Sequence, residues 1–116
     1  MEIQTRTIGP VIVVDVSGRL VLSEPGSDKQ LKDCIGELIA TGARQVIVNV
    51  SRVTDVDTSG LSALVYAHIT MARAGAHLKL TALTPRLRHL LHVTRLDAVF
   101  NICDSEKQAL AEFSAT

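Results

Sequence analysis

Asp55, Asp57, Thr58, Ser59 and Gly60 crowd together in the segment VTDVDTSGLSAL, residues 53–64. Acids and hydroxyls at this spacing suit four tasks. They could form a catalytic loop, a phosphate cradle, a phosphoacceptor site, or the capped start of a helix. The segment turns apolar at Leu61, which is how an N-terminal cap leads into a buried helical stripe.

Most enzymatic readings fail on the rest of the chain. There is no GxSxG elbow, no Walker A loop, and no GxGxxG after a strand. DTSG has a superficial likeness to the DTG of aspartic proteases. The extra serine, the helix expected next and the lack of a second copy oppose it. A phospho-aspartate at Asp57 needs a group of acids to hold Mg²⁺. The early strand supplies only Asp15. His89 and His92 are spaced i, i+3 but fall outside the stripe of Leu87, Leu90 and Leu91, so a solvated face is expected. His68 falls in an apolar stripe and reads as a core histidine. No metal or cofactor site is expected.

The elements that must position these residues follow from periodicity. Residues 2–8 and 11–16 read as strands of a hairpin around Gly9-Pro10, with Gly18 ending the second. Residues 21–26 read as a loop. Ser27 and Gln30 form a capping-box pair ahead of Leu31, Cys34, Ile35, Leu38 and Ile39, a helix stopped at Gly42. Residues 46–50 are a nearly continuous apolar strand. Residues 53–57 read as loop, followed by a helix from about 58 to Gly75 with Leu61, Leu64, Val65, His68 and Ala72 inward. Residues 77–83 form a strand, Thr84-Pro85 starts a helix, residues 98–102 form a short strand, and Asp104 caps a last helix. The order ββαβαβαβα predicts an α/β fold with a mixed, mostly parallel sheet in one domain, residues 1–116.

With Leu61 as the inward reference and about 100° per residue, Ser59 lies roughly 160° away and Thr58 roughly 60° away. Ser59 is then the outward hydroxyl, sharing its side with Ser62, Tyr66, Thr70 and Arg73, while Thr58 and Asp57 are the capping candidates. Gly60 leaves room beside Ser59 for a partner's backbone. A phosphate on Ser59 would add about −1.5 to −2 charges at a helix N-terminus, where the fold tolerates them and a packed partner does not.

Composition narrows the partners. Hydrophobic residues make up 47% of the 116, enough for a packed core. Lys+Arg and Asp+Glu balance at 12 each, so no electrostatic footprint for nucleic acid or anionic membrane exists. No apolar run reaches the roughly 18 residues of a span, and no signal peptide is evident, so a cytoplasmic location is the default. Cys34 and Cys103 stand apart in apolar surroundings and read as buried thiols.

The segment VIVNVSRVTDVDTSGLSAL resembles the signature of STAS domains, specifically bacterial anti-sigma factor antagonists. LTPRLRHLLHVTRLDAVFNI is similar to that family's second recurring block, and the hairpin closing on Gly18-Arg19-Leu20 also matches. The resemblance implies a non-enzymatic regulator that binds an anti-sigma factor which is also a serine kinase. It implies phosphorylation of the serine before the motif glycine, Ser59 here, and loss of binding on phosphorylation, so that sigma factor release and transcription are controlled. Asp57, Thr58, Gly60, Ser62 and Tyr66 then belong to the partner surface. Val21 stands where many antagonists carry an acid, which leaves a non-switching STAS scaffold or ligand-binding module as the alternative.

Overall fold

The computed structural model describes residues 1–21 and 27–115, with the side chains of Ser27 and Asp28 outside that description. Valine-rich alternation builds the sheet. β2 (Val11–Leu20) pairs antiparallel with β1 (Glu2–Ile8) and parallel with β3 (Gln45–Val56). β4 (His77–Thr81) and β5 (Asn101–Cys103) extend the parallel part, giving the order β1-β2-β3-β4-β5. Between them run α1 (Ser27–Ala40), α2 (Thr58–Arg73) and α3 (Pro85–Val93), and α4 (Glu106–Ser114) closes the chain. This is the expected ββαβαβαβα order and the expected mixed sheet.

The two faces of the sheet are covered unequally. Val14, Val16, Val46, Val48, Leu78 and Leu80 form a large core with Leu31 and Ile35 of α1, Leu61 and Leu64 of α2, and Leu87 and Leu91 of α3. On the opposite face α4 alone packs, seating Ala109 and Phe113 on Val11, Val13, Ile47 and Cys103. The period-two alternation along β2 and β3 sends neighbouring valines to these different cores. Three crossovers progressing in one direction across a parallel sheet must leave their helices on one face, which is why the other is open beyond α4.

Several boundaries differ from the sequence expectation. Gly18 does not end β2. It takes φ +94° between two register shifts, and pairing resumes through Arg19 and Leu20. β3 likewise runs on to Val56, so residues 53–56 are strand rather than loop. Its outer half buries Val53 and Val56 in the same core across a register shift, three residues apart and between polar neighbours, so the run resembled a loop. β4 stops at Thr81. The expected strand over 98–102 resolves into a 3-10 turn, Leu96–Ala98, and β5 two residues later. Ser105, not Asp104, caps α4, accepting from the Gln108 N–H at 3.1 Å, while the Gln108 side chain accepts from the Asp104 N–H. Thr84 caps α3 as expected, at 3.2 Å from the Leu87 nitrogen. The cap expected of Ser27 and most of the loop expected over 21–26 lie outside the described residues.

Candidate functional site

The DTSG segment sits where β3 hands over to α2. Asp57 is the helix cap: its carboxylate accepts from the Gly60 N–H at 3.0 Å and its carbonyl from the Leu61 N–H at 2.9 Å. An acid at this place also faces the positive end of the helix dipole. Of the two capping candidates, Asp57 therefore does the capping, and Thr58 is the first helical residue, exposed.

Gly60 has an internal packing role that the sequence pattern did not indicate. It is buried and lies against the end of β2, where a Cβ would collide with the Leu20 carbonyl oxygen and lie 2.8 Å from Leu20 Cγ. The glycine lets α2 approach its own sheet. The Asp57 N–H pointing at the same Leu20 carbonyl, at 3.4 Å, marks the same junction.

The inward arc of α2 is also displaced. Gly60, Leu61, Ala63, Leu64, Ala67 and Met71 are buried, whereas Val65 and His68 are half-buried and Ala72 is exposed. At about 100° per residue these positions centre near Leu64 and Met71, roughly 80–90° from Leu61. Leu61 marks one rim of the arc, not its middle. Ser59 consequently lies toward the other rim and is half-buried, and Thr58 is the more exposed hydroxyl. Ser62 and Tyr66 are exposed on the outer side, as expected, and Tyr66 carries the Lys32 ammonium 5.1 Å above its ring. Ile69, exposed one turn further, extends that surface; it was missed because an isolated apolar residue outside a stripe has no periodic signal.

Arg86 and Arg19 pair with Asp55 beside this site, at 3.3 and 3.8 Å, while the histidines and cysteines lie apart from it. His89 and His92 are exposed, and His92 faces Asp97 at 3.3 Å. His68 sits edge-on to Phe100, ring centroids 5.5 Å apart. Under α4, Lys79 is buried and reaches Glu112 at 3.4 Å, while the Cys103 thiol donates to the other Glu112 oxygen at 3.2 Å. Burial, then the Glu112 contact, pushes the Cys103 thiol up to about 11. Burial also raises the Cys34 thiol. The two cysteines are free. Among the described residues no group of three or more His, Cys, Asp or Glu could hold a metal ion. No described helix is long and apolar enough to cross a membrane.

A mixed five-stranded sheet with three crossover helices on one face, and a capped D-T-S-G helix start at a strand end, define a small α/β domain. Residues 2–109 match the STAS domain family, and the chain belongs to it. No curated protein matches the chain. Among solved structures, an anti-sigma factor antagonist from Mycobacterium paratuberculosis is 22% identical, covering 96% of this chain and 92% of that one, at a TM-score of 0.82. A candidate anti-sigma factor antagonist from Thermotoga maritima is 18% identical, covers 95% and 92%, and gives 0.85. The Bacillus anti-sigma factor antagonist SpoIIAA in its phosphorylated form is 18% identical, covers 97% and 99%, and gives 0.71. At these identities the likeness is one of fold.

Proposed function

We propose that this chain is a regulatory binding module that docks on an anti-sigma factor serine kinase through the start and outer side of α2, and that phosphate on Ser59 releases it. It acts in the cytoplasm, as a substrate of an enzyme rather than as one. The observation that carries this reading is the placement of Ser59 at a surface rim in the first turn of α2, in a helix whose start is fixed by the Asp57 cap. Unphosphorylated, the module frees the sigma factor by occupying its inhibitor. Phosphorylated, it carries a charge that a packed partner leaves unpaired. Such burial costs several kcal/mol, and each 1.4 kcal/mol is about tenfold in affinity.

Incubation with the cognate anti-sigma factor kinase and ATP, read by intact mass, tests the site. One phosphate on the wild type, none on Ser59→Ala and one on Thr58→Ala is the expected pattern. Because Thr58 is the more exposed hydroxyl, the last variant separates the two. Phosphate retained by Ser59→Ala overturns the assignment.

A second reading, a non-switching STAS scaffold or ligand-binding module, draws on Val21. This residue is 5% exposed and belongs to the packed interior, where many antagonists present an acid. It requires partner binding that is unchanged in Ser59→Asp, whereas the switch requires binding weakened by tenfold or more.

A further inference from the structure

α2 carries no acid between Thr58 and Arg73, and the cations beside its outer side stand without carboxylates. Lys32 of α1 lies over the Tyr66 ring, and neither Lys32 nor Arg73 enters an ion pair among the described residues. The described acids of α1 turn away. At about 100° per residue, Asp33 and Glu37 lie roughly 100° and 140° round the helix from Lys32. The Glu37 charge acts on the Cys34 thiol instead. Asp33 follows Lys29 by four residues and balances that lysine, which leaves Lys32 uncompensated.

Ser59, Tyr66 and Arg73 recur at seven-residue intervals, so they form one line along α2 roughly 21 Å long. Tyr66 and Arg73 are exposed, as is Ser62 beside them. An aromatic ring with two uncompensated cations suits carboxylates arranged around an apolar contact. Elsewhere Arg6, Arg19, Arg86 and Arg88 already face carboxylates of their own. Taking the outer side of α2 as the docking surface proposed above, we infer that Lys32, Tyr66 and Arg73 seat an acidic surface of the protein partner, its carboxylates meeting the two cations beside the ring.

The same charges bear on regulation. A phosphate on Ser59 adds about −1.5 to −2 charges, nearly cancelling the two cations. Ser59 lies roughly 10 Å from Tyr66 along the helix axis, about one Debye length. Phosphate then removes the attraction for an acidic partner as well as obstructing contact at the start of α2.

Decaglutamate, titrated at low salt into the isotope-labelled chain, probes this face without any kinase. Amide shifts should centre on residues 62–73 and around Lys32. The affinity should fall about fivefold or more in the double variant Lys32→Gln, Arg73→Gln. The same loss of charge on the α4 side, Arg52→Gln with Lys107→Gln, should leave it unchanged. With the cognate anti-sigma factor kinase, the first double variant should bind about tenfold more weakly and with a flatter salt dependence. Shifts centred elsewhere, no shifts, or equal affinity in the two double variants overturns the acidic partner, and leaves phosphate transfer to Ser59 to its own mass measurement. A kinase that ignores the wild-type chain overturns the docking itself, whatever decaglutamate shows.

Discussion

Gly60 of α2 packs directly on the backbone of Leu20, the last residue of β2, with no room for a Cβ between them. The contact is to a carbonyl oxygen as well as a side chain, so no change at residue 20 makes space. Gly60→Ala should therefore destabilise the domain by about 1–3 kcal/mol or more, the cost of overpacking a rigid site. Leu20→Ala should cost about 2–5 kcal/mol by itself and should not rescue Gly60→Ala. Urea unfolding of the two single variants and the double variant checks this. A neutral Gly60→Ala would show that the junction is looser than drawn.

The Asp57 cap makes a second, smaller prediction. Asp57→Ala removes the acceptor for the Gly60 N–H and should cost about 1 kcal/mol. Asp57→Asn keeps an acceptor and loses only the charge at the helix terminus, so its cost should be nearer 0.3–1 kcal/mol, roughly the dipole contribution. Equal losses in the two variants would assign the stabilisation to charge rather than to the cap. Unfolding curves at low and high salt separate these.

These two residues show what the sequence made legible and what it did not. Element order and most helix starts were readable, because Thr84-Pro85 and the DTSG run carry local chemistry that needs no tertiary information. The outer halves of β2 and β3 were not. Exposed Ser51, Arg52 and Thr54 surround buried Val53 and Val56 without regular alternation, and the run is a strand because β2 continues past the Gly18 irregularity to pair with it. The facing of α2 was misjudged for a similar reason. Leu61 is the first large apolar residue of the helix, yet the buried small residues Gly60, Ala63 and Ala67 set the arc. Small residues carry little hydrophobic signal but permit the closest packing, so pattern reading places the centre too near the leucine.

Arg95 offers a stabilising change. It follows α3 with φ +60°, a left-handed conformation that costs a non-glycine residue about 1 kcal/mol. This is the position where helices commonly place glycine. Arg95 enters no described ion pair. Arg95→Gly should raise stability by roughly 0.5–1 kcal/mol, visible as a higher Tm. A lowered Tm would mean that the arginine side chain contributes more than its backbone strain costs.

Acid should act first at α4. Contact with the Cys103 thiol, then with Lys79, lowers the Glu112 pKa below the usual 4.5. A carboxylate depressed in the folded state stabilises it fully above its unfolded pKa and loses that contribution as pH falls through the folded value. The contribution is thus constant from neutral pH down to about 4.5 and disappears below it. Losing the Glu112 charge also strips the buried Lys79 ammonium of its counter-ion, leaving it over the Phe113 ring at 5.0 Å. Hydrogen exchange between pH 6 and pH 3 should show α4 amides losing protection before those of α1 and α2, after correction for intrinsic rates. In Glu112→Gln this early loss should be absent, because its α4 starts without the charge at every pH. Simultaneous loss across all helices in the wild type would count against a local clasp.

Tyr66 separates binding from folding. It is 45% exposed on the outer side of α2, in line with Ser62, and the Lys32 ammonium lies over its ring. Truncation there removes little internal packing, so Tyr66→Ala should change stability by no more than about 0.5 kcal/mol. If the outer side of α2 seats the anti-sigma factor, an aromatic at its centre is the residue type on which interfaces concentrate their energy, and the variant should lose about 2 kcal/mol of binding, roughly thirtyfold in Kd. Ile69→Ala, one turn further along the same surface, should lose less because it buries a smaller side chain. Calorimetric titration of each variant with the partner, beside a thermal melt of each alone, gives the two numbers. Full affinity in both variants, with melts unchanged, would move the docking surface off this side of α2.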